Sequence, residues 1–314
     1  MQRNATSPVK PEPRVGLLLL LIAAILSFSA PAAAQDGEKK TLVITGSDTM
    51  NLMSTALAEA FKAHHPEVSV TVTGGGSGRG IADLMSGLND VAQASRPMTD
   101  GEKEKARANG LDPQEFVVGL DALAVIVNES SPVKELTKAQ IAAIFTGAVD
   151  NWSAFGGPDR KITVFARESN SGTYHFFKEH VLQNKDFAQG TSYLAATAAI
   201  GDAVAKNEGA VGFGGIGYFA HTEGIRILAV SPKKGEPAVS PIDEATRHPR
   251  YETIQSGEYP VSRPLHYYTS RQPAGVAKAF LDFVASEEGQ EVIKKSEYIP
   301  LGKGGAAAAK AVAE

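Results

Sequence analysis

Six consecutive apolar residues, Ala122-Leu123-Ala124-Val125-Ile126-Val127, narrow the possible folds most sharply. Successive side chains of a strand point to opposite faces, so this run as a strand needs apolar cover on both of them. Helices packed on both sides of a sheet supply that cover, and the expected class is α/β. The rest of the chain alternates accordingly. Thr41–Ile44 reads as a strand, and Met50–His64 as an amphipathic helix with Leu52, Ala56, Leu57, Ala60 and Phe61 near one face. Val68–Val72 is a strand, followed by a glycine loop and a short helix over Ile81–Ser86. Thr137 caps a helix through Ile141, Ile144 and Phe145, with Gly147 as its stop. Strand Thr163–Phe165 leads to helix Tyr174–Leu182, and a second helix opens at Asp202. Strand Arg226–Val230 precedes Ser231–Pro260, a polar stretch read as surface connection; strand Pro264–Tyr268, helix Ala274–Ala285 and a shorter helix around Gln290 close the pattern.

The N-terminus reads as an export leader. Arg3, Lys10 and Arg14 precede an apolar run from Val15 to Leu26, and Ala32-Ala33-Ala34 offers small residues to a peptidase. The run is shorter than the roughly 20 apolar residues of a membrane span before Ser27 and Pro31 interrupt it. Cleavage after residue 34 would remove three basic residues and Glu12 from 31 basic and 35 acidic ones, leaving 28 against 34 and a net charge of −6. That balance, without a Lys/Arg-rich run, argues against nucleic acid as the main partner. Cysteine is absent, which excludes disulfides, thiolate metal sites, a cysteine nucleophile and a lipid-bearing N-terminal cysteine. A freely dissolved periplasmic protein is expected. About 280 mature residues suit two lobes of ordinary size.

Three loops carry the chemistry: Gly46-Ser47-Asp48-Thr49-Met50, Gly74-Gly75-Gly76-Ser77-Gly78-Arg79-Gly80 and Arg167-Glu168-Ser169-Asn170-Ser171-Gly172-Thr173. Each lies between a strand and a helix and places hydroxyls and small residues at a helix N-terminus. The first N–H groups there have no intrahelical partner and the dipole favours an anion. Ser, Thr and Asp are also ordinary caps, but capping leaves unexplained the glycine run, the Ser-Gly-Arg-Gly that follows, and Arg167 six residues before Thr173. Neither nucleotide-binding glycine template fits, so a small anion is the better reading. The seven histidines show no close metal-ligand spacing, and no G-x-S-x-G elbow surrounds Ser77 because Arg79 stands at the second position after it. Trp152 reads as a packing anchor, and Glu287-Glu288 as solvated residues at a helix end. No cofactor and no metal are expected. An exported enzyme acting on phosphate esters would need a metal cluster or an activated nucleophile, and the sequence offers neither.

Across Thr41–Leu301 the chain resembles the periplasmic phosphate-binding proteins of ABC transporters, PstS type. The likeness rests on Ile44–Met50, Gly74–Gly80, Ala94-Ser95-Arg96-Pro97-Met98, Asp121–Asn128, Ile144–Gly147 with Asn151-Trp152, Arg167–Thr173, Gly209–Phe213 and Tyr259–Leu265. It implies a two-lobe type II periplasmic-binding fold with a ligand cleft between the lobes and a hinge of two crossings, placed near Asp121 and Arg263. Lobe I would be 41–122 plus 264–303, lobe II 123–263, and 304–314 a flexible tail. The implied phosphate ligands are Ser47 with the Asp48 or Thr49 amide, Ser77, Arg167, Ser171, Gly172 and Thr173. The implied partners are inorganic phosphate and an inner-membrane permease, with the binding protein itself a monomer. A scavenger or sensor without a permease would share the same fold. One departure stands out. Some family members carry an aspartate where this chain has Arg96, and that carboxylate accepts the proton of hydrogen phosphate. Arg96 can only donate. Either Asp48 takes the acceptor role, or the pocket is more cationic and admits other tetrahedral oxyanions; Arg96 itself is expected to contact the anion or to brace a carboxylate beside it.

Overall fold

A computed structural model describes residues 40–301; the expected export leader (1–34) and the expected flexible tail (304–314) lie outside the described residues. In chain order the elements are β1 (Lys40–Gly46), α1 (Asn51–His64), β2 (Val68–Thr73), α2 (Ser77–Met85), β3 (Val91–Ala94), α3 (Asp100–Ala108) and β4 (Gln114–Asn128). They continue with β5 (Glu135–Thr137), α4 (Lys138–Phe145), β6 (Thr163–Arg167), α5 (Gly172–His180), β7 (Ser192–Leu194), α6 (Thr197–Ala205), β8 (Ala210–Gly215), α7 (Ile216–Phe219), β9 (Ile225–Ile227) and β10 (Ala229–Ser231). The last are α8 (Tyr251–Gln255), β11 (Ser262–Thr269), α9 (Gly275–Ala285) and α10 (Glu287–Lys295).

The apolar run that opened the sequence reading is the second half of β4, a strand of 15 residues buried continuously from Val118 to Asn128. Its length lets it serve two neighbourhoods. Gln114–Ala122 pair antiparallel with β11, whereas Leu123–Val127 pair antiparallel with β8 and Ile126–Asn128 with β9. The handover falls beside the Arg263–Asp121 pair of the β4–β11 ladder. Among the described residues the strand order is β2-β1-β3-β11-β4-β8-β6-β7, with β9 branching from β4. Parallel pairs β1–β2 and β1–β3 on one side, and β6–β7 and β6–β8 on the other, are the products of strand–helix–strand crossovers.

Each side has its own core. Leu42 and Ile44 of β1 pack with Met53, Leu57 and Phe61 of α1 and Phe280 of α9. Around the second half of β4 the core is aromatic: Phe177 stacks on Phe213 at 3.8 Å between centroids, and Phe145 meets Phe177 edge-on at 4.8 Å. Trp152 is buried and donates from Nε1 to the Gly209 carbonyl at 2.9 Å, a packing anchor as its sequence context suggested. Capping boxes start α3 (Thr99 with Glu102) and α4 (Thr137 with Gln140).

Several elements depart from the sequence reading. The inward face of α1 is Met53, Ser54, Leu57, Ala58 and Phe61, so Leu52 is 46% exposed. Strand 226–230 breaks in two at Leu228, and the polar stretch 231–260 contains α8 and the buried Ile242, Ile254 and Tyr259. Helix α6 opens at Thr197, five residues before Asp202. Among the described residues no helix is long and apolar enough to cross a membrane.

Candidate functional site

The three chemistry-bearing loops converge at the strand ends beside the handover in β4. After Gly46 the chain enters a 3-10 turn, Asp48–Met50, that feeds α1. Ser47 before it is buried, and its hydroxyl donates to Ser95 Oγ at 2.9 Å. The glycine run reaches α2 through Gly76 at φ +99°, a conformation that strongly favours glycine, and Ser77 is the first helical residue. The Ser77 hydroxyl accepts the Ser95 N–H at 3.1 Å and lies 3.3 Å from Ser95 Oγ. The hydroxyls of Ser47, Ser77 and Ser95 thus form one buried chain.

Helix α5 meets this chain head-on. Its N-cap Ser171 accepts the N–H groups of Thr173 and Tyr174 at 3.2 and 3.4 Å, so that hydroxyl serves as a cap. Gly172 lies so close to the serines that an added Cβ would clash with Ser77 Oγ and come within 2.7 Å of Ser95 Oγ. Asn170 fastens the approach: its side chain donates to the Gly75 carbonyl at 3.0 Å and its carbonyl accepts the Gly78 N–H at 3.2 Å. Thr173 Oγ1 is 2.7 Å from Thr49 Oγ1. The positive ends of α2 and α5 therefore face one spot, lined by hydroxyls, which is an arrangement suited to a small oxyanion.

Two buried guanidinium groups flank it, each 1% exposed. Arg167, at the end of β6, contacts Asp48 Oδ2 at 3.2 Å and donates to Thr197 Oγ1 at 2.6 Å, the Ala195 carbonyl at 2.6 Å and the Leu194 carbonyl at 3.3 Å. Asp48 Oδ2 also accepts the Thr197 N–H at 2.8 Å, so this carboxylate caps α6 from across the site. Arg263 donates to Asp121 Oδ2 at 2.8 and 3.2 Å, to the Ser95 carbonyl at 3.0 Å and to Thr173 Oγ1 at 3.0 Å. Complete burial pushes the Asp121 carboxyl upward, against the pull of Arg263 and of the Ile216 N–H. Two arginines are thus matched by two aspartates.

Arg96 stands at the rim of this arrangement. Its fork is bidentate on Glu102, at 2.7 and 2.8 Å, and it also donates to the Pro97 carbonyl. The carboxylate it braces is therefore Glu102, in the first turn of α3. Burial alone would raise the Glu102 carboxyl, but hydrogen bonds from Arg96 and the Thr99 N–H outweigh it and hold the group below the ordinary glutamate value. A depressed folded pKa means stability that is present above the unfolded value, about 4.3, and is lost as pH falls through the folded one. The stability difference between wild type and Glu102→Gln, measured by urea unfolding, should accordingly shrink once the pH drops below about 4.

Sequence reading found Ser47, Asp48, Thr49, Ser77, Arg167, Gly172 and Thr173, and the structure brings them together. Ser171 adjoins them as a cap, and Arg96 faces Glu102. The sequence reading gave Ser95 and Thr197 no role, and marked Arg263 only as the neighbourhood of a hinge crossing. Ser95 lay inside a recognised segment, but its place as the central hydroxyl depends on β3 lying between β1 and β11.

Fold and site together define a two-lobe ligand-binding protein of the type II periplasmic-binding fold. A family model for the PBP superfamily domain matches residues 31–288. The phosphate-binding protein PstS of Bacillus subtilis is 30% identical over 302 residues, covering 91% of this chain and 94% of that protein. PstS of Pseudomonas aeruginosa PAO1 is 30% identical over 282 residues, covering 84% of each. A solved Clostridium perfringens structure with bound phosphate, assigned as the substrate-binding protein of a phosphate ABC transporter, superposes with a TM-score of 0.73 at 29% identity, covering 84% of this chain and all of that one. The chain belongs to the PBP superfamily and, within it, to the PstS-type phosphate-binding proteins.

Proposed function

We propose that this protein binds inorganic phosphate between its lobes and hands it to the permease of an ABC transporter, breaking no bond. The observation that supports this most is the opposition of the α2 and α5 N-termini across Ser47, Ser77 and Ser95, with Arg167 and Arg263 buried beside them. A phosphate seated there would accept from the hydroxyls of Ser47 and Ser77, from the N–H groups of Thr49, Gly172 and Thr173, and from Arg167. Its charge would take up bonds that the hydroxyls now give each other, and charge-assisted bonds are roughly twice as strong as neutral ones. Arg96 acts through Glu102 as a brace for the loop beside Ser95. Asp48 supplies the acceptor for the phosphate proton: both of its side-chain contacts fall on Oδ2, and Oδ1 turns toward Gly74 in the glycine loop.

The lobe limits that fit this reading are 41–122 plus 264–303 and 123–263, since β4 changes partners between Ala122 and Leu123. Contacts such as Thr49–Thr173 and Asp48–Thr197 then join the lobes in the closed form, and phosphate shifts the population toward it. The protein would act as a monomer in the periplasm, released from its leader rather than held by a lipid. The test is calorimetric titration of phosphate-stripped protein with phosphate, then with sulfate in excess. One phosphate per chain, bound at least tenfold more tightly than sulfate, is expected. Equal affinities would overturn the acceptor role of Asp48 and assign the pocket to tetrahedral oxyanions at large.

A further inference from the structure

His221, His248 and Glu297, none of them part of the anion site, meet at positions whose sequence separations gave no hint of a meeting. His221 Nε2 lies 3.1 Å from Glu297 Oε1, and His248 Nδ1 lies 2.9 and 3.1 Å from the two Glu297 oxygens. One ligand atom from each residue fits within 4.8 Å of the others. The side chains of His221 and His248 are 53% and 55% exposed, whereas Glu297 is 15% exposed. The carboxylate is therefore set into the surface with two accessible imidazoles converging on it.

The backbone holds this convergence in place. His221 follows α7, and Arg247, next to His248, donates to the α7-end carbonyls of Ala220 at 2.6 Å and Phe219 at 3.4 Å. That clamp sets His248 beside His221, with 5.4 Å between ring centroids. Arg247 and Glu297 both adopt left-handed backbone, at φ +62° and +64°, which residues with side chains rarely do. Glu297 is further fixed by its neighbour Tyr298, whose hydroxyl bonds the Thr49 carbonyl.

We propose that His221, His248 and Glu297 form a binding site for a divalent transition-metal ion, with zinc the best match. Two imidazole nitrogens and one carboxylate are a recurrent zinc donor set, and a fourth, solvent-facing position completes a tetrahedron with water. Each histidine presents to Glu297 the ring nitrogen that would turn its lone pair to the metal. Hard cations such as magnesium prefer an all-oxygen shell and have no comparable set here. The ion joins the stretch around His248 to the end of α10, and by binding the folded form it raises the unfolding temperature.

The experiment is calorimetric titration of metal-stripped protein with zinc chloride in phosphate-free buffer, so that its outcome is independent of phosphate binding. One zinc per chain should bind. His221→Ala and His248→Ala should each weaken it at least tenfold, with the double variant abolishing it, while magnesium gives no saturable heat. His64→Ala should leave zinc binding unchanged, because His64 lies beside Glu288, at 2.9 Å, and the Phe283 ring rather than beside His221, His248 or Glu297. Both site histidines are exposed, so the variants should fold, which circular dichroism verifies. Absence of one-to-one zinc binding, or binding unchanged in both site variants, would overturn the proposal.

Discussion

Replacing Arg263 with alanine should destabilise the protein by about 3–5 kcal/mol, the cost of stranding one partner of a fully buried ion pair. Asp121 is 0% exposed and, once the guanidinium is gone, keeps the Ile216 N–H at 3.1 Å as its hydrogen-bond donor. The same substitution removes the donors to the Ser95 carbonyl and to Thr173 Oγ1, and with them a tie between β3, β4 and α5 at the point where β4 changes partners. A stranded Asp121 is relieved by taking up a proton. Burial raises its pKa even with Arg263 in place, and removing that cation raises it further, so the penalty is relieved as pH falls. The stability deficit of Arg263→Ala relative to wild type should therefore narrow as pH is lowered, and Asp121→Asn in the same chain should recover much of the loss. Urea unfolding reads all three. An Arg263→Ala protein as stable as wild type would show that the pair at the crossing does not hold the lobes in register.

Arg167→Ala should lower phosphate affinity more than a hundredfold, about 3 kcal/mol, the range seen when one member of a desolvated charge pair is removed. The guanidinium lies between Asp48 and the N-terminus of α6, so the variant loses a ligand and leaves Asp48 with one N–H partner on Oδ2. On the proposed reading, that carboxylate would then repel the anion. Arg167→Lys restores the charge but not the planar fork, and should recover only part of the affinity. Calorimetry separates these outcomes, and equal affinities in all three proteins would remove Arg167 from the site.

What the sequence made legible was local. The buried half of β4, the capped start of α4 and the placing of three loops between a strand and a helix each depend on residues a few positions apart, although α2 and α5 open at Ser77 and Gly172, ahead of the Ile81 and Tyr174 expected. What it hid was supplied from a distance. The start of α6 is invisible because its N-cap is Ala196, without a capping side chain; the acceptor is Asp48, 149 residues away. A hinge crossing was expected near Arg263, just before the strand read from Pro264, but its ion pair with Asp121 follows only once β11 is laid beside β4. The α1 face was misjudged because Leu52 is apolar in type yet lies outside the stripe made by Met53, Leu57 and Phe61. Arg96 could be singled out as a departure, but its partner Glu102 could be found only in three dimensions.

The central claim is the position of the anion, and a crystal structure of the protein grown with phosphate tests it most directly. The account predicts one phosphate between the α2 and α5 N-termini, within about 2.6–3.0 Å of the Ser47 and Ser77 hydroxyls, the Gly172 and Thr173 N–H groups and the Arg167 guanidinium. Phosphate found only at the surface, or bound without these groups, would contradict it.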